Sequence, residues 1–463
     1  MSQDEDLICG YKDFLAKGKT ERECVDFLVK EAEKNGYKNI DSLEKIKAGD
    51  KVYITKFGKA IALFDLGSEG LEKGMNILGA HIDSPRLDVK QNPVYESDFI
   101  VYLNTHYYGG IKKYQWLTLP LAIHGVVCKK DGSTVNVCIG EKAEDPVFVI
   151  SDILPHLAQK QMKETVADFI PGETLDLILG SEIPLDPSES LAKNDKAEKA
   201  DKSDKSDKPE KDKAKKAVLK LLKDAYNIEE KDFGSAELEV VPAGLPRDLG
   251  LDRSLILAYG QDDRSCAYTS AYALFNSKAE KRTNCCLCVD KEEIGSVGAT
   301  GMASHFFENA VAEVIARTGD YSELTLRRCL NNSYMLSSDV NAAYDPQHGD
   351  LYDKANASFL NGGIVFNKYT GSRGKYDASD ASPEFIAMLR NALDNANVKY
   401  QMAELGKVDQ GGGGTIAYLA AKYGMYVLDA GVSVLSMHAP WEITAKEDIV
   451  QAANAYKAFL KLS

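Results

Sequence analysis

The sequence has no excess of positive charge, no long apolar run and no even set of cysteines, and each shortage excludes a class of protein. Lysine and arginine number 56 against 70 aspartates and glutamates, a net charge of −14, which argues against a generic nucleic-acid binder. No stretch approaches the roughly 18 apolar residues of a membrane-spanning helix. The acidic start Met1–Asp6 lacks the order of a secretion signal. We therefore expect no nucleic-acid and no membrane partner.

The number of cysteines also excludes a class of protein. Nine is an odd number, so the cysteines cannot all form disulfide bonds within the chain. Three of them, Cys285, Cys286 and Cys288, crowd one strand-like stretch. A disulfide framework is not expected on a chain of this size, so the sequence predicts a cytoplasmic location.

One segment is too polar to join a core. Residues 193–216 consist almost wholly of Lys, Asp, Glu, Ala and Ser. A lysine-rich tract could bind a polyanion, but the interleaved acids favour a solvated, mobile surface loop at about 190–217.

The pattern changes along the chain and indicates two kinds of domain. Residues 1–30 have helical spacing, and 98–150 contain several strand-like runs without long helices. After the polar tract, strand-like runs alternate with helices predicted at 264–277, 301–317, 382–397 and 412–423. This alternation predicts an α/β fold, a mixed sheet covered by helices on both faces, with a β-rich domain inserted. The predicted bounds are 1–92 and 237–463 for the catalytic domain and 93–236 for the insertion.

Ligand-type side chains follow several apolar, strand-like runs. Strand ends are where open α/β sheets gather their sites. A His-x-Asp triplet places two ligand-type side chains on the same side of an extended chain. The candidate residues are His81 and Asp83, Asp262 and Asp263, Glu292 and Glu293, Asp339, and His438.

Each of these signals has an ordinary structural explanation. A strand-end histidine can lie in a turn, acids favour a helix start, and adjacent carboxylates can be solvated at the surface. Their combination, however, indicates a two-metal hydrolase site. Two cations activate a water and polarise a carbonyl, and a carboxylate that is not a ligand moves the proton. His, Asp and Glu without cysteine suit Zn²⁺, and would also accept Co²⁺ or Mn²⁺.

The motifs that carry these residues resemble the aspartyl aminopeptidase family, in the form of its bacterial-type members. They occur in the family's order over nearly the whole chain apart from the lysine-rich tract. They comprise His81-Ile82-Asp83-Ser84-Pro85, Tyr108-Gly109-Gly110, Asp290-Lys291-Glu292-Glu293-Ile294-Gly295-Ser296, Ser338-Asp339 and Met437-His438.

The resemblance implies a role for each site residue. His81 and Asp339 would complete one metal site, Glu293 and His438 the other, and Asp262 would bridge them, with its neighbour Asp263 as the alternative. Glu292 would be the general base and later the acid. Asp83 would orient His81.

The resemblance also implies an assembly. The inserted domain would be a dimerisation domain, and twelve subunits built from dimers would form a tetrahedral shell with the active sites inside. His156 would reach the active site of a neighbouring subunit; a histidine in the dimer contact is the alternative.

The chain departs from the family's pattern around the first substrate pocket. Gly374-Lys375-Tyr376 stands where the family often has Gln-Arg-Tyr, and a glycine run, Gly411–Gly414, precedes Thr415. These glycines could admit substrate, but a turn is favoured. An acidic first residue needs a basic group, for which Lys368 and Lys375 are candidates unless they are solvated surface lysines. Tyr376 is a further candidate for substrate binding.

The sequence thus predicts a metal-dependent aminopeptidase acting on peptides, with acidic first residues as the candidate preference. The alternatives are a dinuclear metal deacylase or carboxypeptidase, and a non-catalytic oligomeric scaffold.

Overall fold

The computed structural model describes residues 2–181 and 212–463. The chain divides into two compact units, unit 1 (Met1–Pro85 and Gly244–Ser463) and unit 2 (Arg86–Ala243). Within the described ranges, the protein has no helix with the length and apolar character that a membrane span requires.

Unit 1 is built on a nine-stranded sheet with the order β1-β2-β3-β13-β4-β14-β18-β16-β17. The central neighbours β13, β4, β14 and β18 are parallel, whereas β3 and β16 run antiparallel to their inner neighbours, so the sheet is mixed. The strands are β1 Lys38–Asn39, β2 Lys51–Lys56, β3 Ala60–Asp65, β4 Met75–His81, β13 Thr283–Val289, β14 Tyr334–Ser337, β16 Ile364–Asn367, β17 Tyr400–Met402 and β18 Tyr426–Gly431.

Two small sheets complete the strands of unit 1. One has the order β11-β12-β20 and the other pairs β15 with β19. Their strands are β11 Arg247–Leu249, β12 Leu255–Ala258, β20 Glu442–Ala445, β15 Asn341–Ala342 and β19 Ser433–Val434.

Helices cover both faces of the large sheet. Successive residues of β13 alternate between two apolar clusters, with Cys285 and Leu287 in one and Cys286 and Cys288 in the other. A parallel strand buried on both faces is expected to be apolar throughout, as this one is. The fold class predicted from the sequence is therefore confirmed. The helices of unit 1 are α1 Gln3–Lys17, α2 Glu21–Lys34, α4 Gln261–Phe275, α5 Phe306–Thr318, α6 Glu323–Asn331, α7 Pro383–Asn395, α8 Ala417–Ala421 and α9 Lys446–Phe459.

Unit 2 is an antiparallel sheet with the order β8-β7-β10-β5-β6-β9, against which one helix, α3 (Lys213–Tyr226), packs on β5 and β6. This unit begins at 86 and ends at 243, whereas the sequence placed the insertion at 93–236. The strands are β5 Arg86–Ser97, β6 Ile100–Tyr108, β7 Leu121–Cys128, β8 Thr134–Ile139, β9 Leu177–Gly180 and β10 Ala236–Pro242.

Two local predictions differ from the structure. The last part of the loop predicted at about 190–217 is wrong, because residues 213–217 belong to α3, in which Ala214 and Val218 are buried. The part of that loop up to 211 lies outside the described residues. The helix predicted at 412–423 is only Ala417–Ala421. Gly412 has a φ of +117°, which ends any helix there, so the glycine run forms a turn.

Candidate active site

The carboxyl ends of three neighbouring parallel strands bring the predicted residues of the motifs together. His81 is the last residue of β4, Glu292 and Glu293 follow β13, and Asp339 follows β14. Since β13, β4 and β14 are adjacent, residues far apart in sequence meet at one edge of the sheet.

Asp262 lies between two histidines. Its Oδ1 is 3.3 Å from Nε2 of His81, and its Oδ2 is 3.4 Å from Nε2 of His438. Nε2 of His438 is also 3.5 Å from Oε2 of Glu293. One carboxylate thus faces two different imidazoles with its two oxygens.

Three overlapping sets of side chains offer ligand atoms that lie within 4.8 Å of one another. Asp262, His81 and Glu293 each belong to two of these sets, so the sets form one continuous site. The sets are His81, Asp262 and Asp339; Asp262, Glu293 and His438; and His81, Glu292 and Glu293.

Asp262 is the second residue of α4 and directly follows a tight turn at Gly260. Gly260 has a φ of +68°, which favours glycine, and a Cβ there would lie 2.1 Å from Nη1 of Arg264, so a larger residue would displace the guanidinium. Ser84 donates its hydroxyl to the carbonyl oxygen of Asp262 at 2.7 Å. The peptide bond from Asp262 to Asp263 is cis.

Asp83 organises the neighbouring residues. Its carboxylate accepts the backbone N–H groups of Glu292 and Glu293, both at 3.1 Å. Nδ1 of His81 lies 3.3 Å from Oδ1 of Asp83 and 3.0 Å from its carbonyl oxygen. Because Asp83 engages Nδ1 of His81, the other ring nitrogen, Nε2, faces Asp262. Such a contact is typical of a carboxylate that orients a metal-binding histidine.

Burial makes this cluster of carboxylates electrostatically costly without a cation. Burial raises the pKa of Glu292 to about 7 and raises those of Glu293 and Asp339 well above their usual range. Asp262 is the exception: hydrogen bonds to His438 and His81 outweigh burial and lower its pKa. At His81, hydrogen bonds to Asp262 and Asp83 outweigh burial and raise its pKa.

The donor set fits divalent metal ions. Among the described residues, Oε1 of Glu293 is buried and has no hydrogen-bond partner. A buried carboxylate oxygen without a donor, beside other carboxylates with raised pKa values, is the arrangement that a bound cation would compensate.

Asp263, the alternative to Asp262, has a different environment. Its Oδ2 accepts the backbone N–H of His81 at 3.3 Å, and burial raises its pKa. The sets of potential ligands include Asp262 and not Asp263 among the described residues.

Sequence reasoning missed Glu442, the first residue of β20. Its carboxylate is buried and accepts the backbone N–H groups of Asp262 at 3.0 Å and His438 at 2.7 Å. Its position four residues after His438 was the only sequence signal for it.

The structure does not bring the candidate substrate-binding residues into these sets of ligands. Lys368 and Lys375 both pair with Asp380, the latter at 3.2 Å, and both are solvated. Tyr376 is 69% exposed. His156 is exposed in unit 2.

Comparison with known proteins identifies the family. The family described as "Aminopeptidase I zinc metalloprotease (M18)" matches residues 14–460. The "Probable M18 family aminopeptidase 1" of Clostridium acetobutylicum is 55% identical over 454 residues, 97% of this chain and 93% of the relative. Its namesake from Thermotoga maritima is 44% identical over 452 residues, 97% of this chain and 94% of the relative.

Solved structures agree with the sequence relatives. The crystal structure of the M18 family aminopeptidase from Thermotoga maritima has a TM-score of 0.91 and 43% identity, and the match covers 99% of this chain and 96% of the other. That of aminopeptidase I from Clostridium acetobutylicum has a TM-score of 0.87 and 53% identity, covering 98% and 94%. The chain therefore belongs to the aminopeptidase I zinc metalloprotease family, M18, which confirms the class of enzyme that the sequence predicts, a metal-dependent aminopeptidase.

Proposed function

We propose that this metallo-aminopeptidase holds two divalent ions, with Zn²⁺ as the natural metal and Co²⁺ or Mn²⁺ as substitutes. The observation that carries the proposal is the carboxylate of Asp262, whose two oxygens face two different histidines. Asp262 would be shared, His81 and Asp339 would belong to one ion, and Glu293 and His438 to the other. The two sets of three potential ligands that share Asp262 support this division.

Glu292 is the proposed general base. Its side chain is 17% exposed, whereas that of Glu293 is 3% exposed, so Glu292 is more accessible to an entering substrate. When bound, the ions supply Lewis-acid activation of a water and of the scissile carbonyl. Glu292 takes a proton as the first peptide bond is attacked and returns it to the leaving amine.

Removal of residues from the amino end is favoured over the rival chemistry. A free ammonium is attracted by a cluster of carboxylates, whereas a carboxypeptidase or a deacylase of acyl-amino acids needs a cation for the free carboxylate of its substrate. A scaffold would have no use for so many buried carboxylates at one place, which are costly without ions.

A preference for acidic first residues is the finer part of the proposal. Lys368 and Lys375 would supply the positive charge, with Tyr376 beside them. Each of these lysines already pairs with Asp380, so an acidic substrate side chain would have to compete with that carboxylate. We therefore propose a moderate acidic preference rather than an absolute one.

Homo-oligomer formation is proposed through unit 2. The segment 151–168 exposes several large apolar side chains, among them Leu157, Met162 and Val166 at 67–78%. Such a patch is typical of a protein contact. Unit 2 would form dimers, the dimers a dodecamer, and His156 in the same segment would act on a neighbouring subunit.

All nine cysteines are free, which supports a cytoplasmic location.

Release of a chromophore from Asp-, Glu-, Leu-, Met- and Lys-linked substrates, after loading with zinc, cobalt or manganese, tests the proposal. Metal is counted on the same samples. Cleavage with two ions per chain, fastest for Asp and Glu, is the expected result. Cleavage of apolar members alone would discard the acidic preference. No cleavage with two ions bound would favour a deacylase or a carboxypeptidase, and fewer than two ions would refute the dinuclear site.

A further inference from the structure

Glu442 contacts two candidate metal ligands but, among the described residues, belongs to none of the sets of potential ligands itself. Its side chain is 1% exposed. Oε2 accepts the N–H of Asp262, and Oε1 accepts the N–H of His438. We propose that Glu442 is a positioning residue, which sets the affinity for the ion of Asp262, Glu293 and His438 by fixing the backbone of two of them.

The surrounding structure holds Glu442 itself in place. It pairs with Ala258 across β12 and β20, directly before the turn that leads to Asp262. The side-chain amide of Gln261 donates to the carbonyl oxygen of Glu442 at 2.7 Å, and its Oε1 accepts the hydroxyl of Thr444 at 2.6 Å. The carboxylate therefore starts from a fixed backbone and reaches two neighbouring segments.

The two backbone N–H groups that donate to Glu442 belong to segments of irregular backbone. His438 has a φ of +64°, in the left-handed region that non-glycine residues seldom adopt. Asp262 has φ −81° and ψ +111° at the start of α4, outside the helical region. Neither segment gains its direction from a regular helix or sheet, so an acceptor common to both fixes the direction of each ligand relative to the other.

The substitution Glu442→Gln tests the inference, which rests on the proposed function. The glutamine has one acceptor oxygen, and its amino group would face the second backbone N–H, so one of the two ligands loses its partner. We expect the affinity for the ion of Asp262, Glu293 and His438 to fall about 10–100-fold, as is typical when a partner of a metal ligand is removed. Zinc affinity is measured by competition with a chelating dye, and cobalt absorption spectra report the geometry of the altered site.

Asp448→Asn is the matched control. Asp448 is equally buried in unit 1 and accepts two backbone N–H groups, from Asn361 at 2.8 Å and from Gly363 at 2.7 Å. Neither of these residues is a candidate ligand. The control should therefore lose stability while both zinc affinities and the cobalt spectrum stay at their wild-type values.

Wild-type affinities in Glu442→Gln, or equal losses in Glu442→Gln and Asp448→Asn, would overturn the inference. Should Glu442→Gln not fold, Glu442→Asp keeps the charge but is too short to reach both amides. Glu442→Asp must show the same reduced affinity for that ion, and wild-type affinity for both ions would again overturn the inference. Failure of both variants to fold in excess zinc, while Asp448→Asn folds, would make Glu442 merely structural and also overturn it.

His438→Ala separates this inference from the proposed function. If His438→Ala keeps both ions with unchanged affinity, the ligand set itself is wrong. If it loses one ion and Glu442→Gln does not weaken that ion, only the positioning role of Glu442 fails.

Discussion

Replacing Glu292 by glutamine should remove catalysis and leave the metal site intact. The two side chains have the same size, and the backbone N–H that Glu292 donates to Asp83 is unaffected by the change. Glutamine cannot accept a proton at neutral pH, so the substitution removes the proposed proton transfer and little else.

The size of the effect follows from the position of the side chain. Oε2 of Glu292 is 3.9 Å from Nε2 of His81, longer than the 3.3–3.5 Å contacts that join Asp262 and Glu293 to the two histidines. A positioned general acid–base contributes about 10²–10⁴-fold to the rate, or about 3–5 kcal/mol of the barrier. We expect kcat to fall by that factor, with KM nearly unchanged.

Glu293→Gln, at the adjacent position, is the matched control. Steady-state hydrolysis of an aminoacyl chromophore is measured for both variants, together with the metal content of each after dialysis. Glu292→Gln should retain two ions per chain, whereas Glu293→Gln should lose one, because Glu293 is a proposed ligand of the second ion.

Loss of an ion from Glu292→Gln would refute the reasoning. Glu292 would then be a ligand in the third set of side chains, with His81 and Glu293. A decrease of less than about tenfold in kcat, with both ions bound, would refute it as well, because loss of the group that transfers the proton should slow the reaction by at least about 100-fold.

Three further predictions concern metal and pH. Asp83→Asn should weaken metal binding about 10–100-fold, because Asn cannot accept both amide hydrogens that Asp83 accepts; chelator competition measures this, and unchanged affinity would contradict the role of Asp83. Removal of metal by a chelator should abolish hydrolysis and lower the thermal unfolding midpoint, and excess zinc should restore both; a midpoint that does not respond to metal would contradict the expected coupling. Burial raises the pKa of Asp448 to about 6, so the fold favours its protonated form, and this stabilisation is lost as pH rises from the unfolded pKa near 4 through 6. Between pH 5 and 7.5 the wild type should lose about 1.4 kcal/mol that Asp448→Asn does not lose, so the variant's deficit in urea unfolding should shrink, and a constant deficit would contradict the assignment.

The sequence predicted the strand ends of the site because apolar runs and acids are local signals. The strand-like runs expected within 98–150 are strands in the structure, for example β7 at Leu121–Cys128. The choice between Asp262 and Asp263 was harder, since adjacent aspartates have the same local pattern. Only the folded turn after Gly260 shows that the carboxylate of Asp262 faces the histidines.

Other features depended on contacts that a sequence does not display. Glu442 touches the amide of Asp262, which lies 180 residues earlier in the chain, so its role could not be inferred from its neighbours. The helix predicted at 412–423 failed because apolar residues after Thr415 have helical spacing, while the glycines before it cost too much entropy to join a helix. The pairing of Lys368 and Lys375 with Asp380 likewise depends on how the loop folds, which the local sequence does not indicate.

The way in which unit 2 is attached affects how the chain finds its fold. Its first strand, β5, and its last, β10, are antiparallel neighbours in which Leu87 pairs with Val240. Whenever unit 2 is folded, the chain thus returns close to the point at which it left unit 1. Closing β4 onto β13 then costs the entropy of the roughly 40 residues of unit 1 that lie between them rather than that of roughly 200 residues, a difference of about 1.4 kcal/mol. The insertion is therefore nearly neutral for the folding of the unit it interrupts, although it separates the first candidate metal ligand from all the others in the sequence.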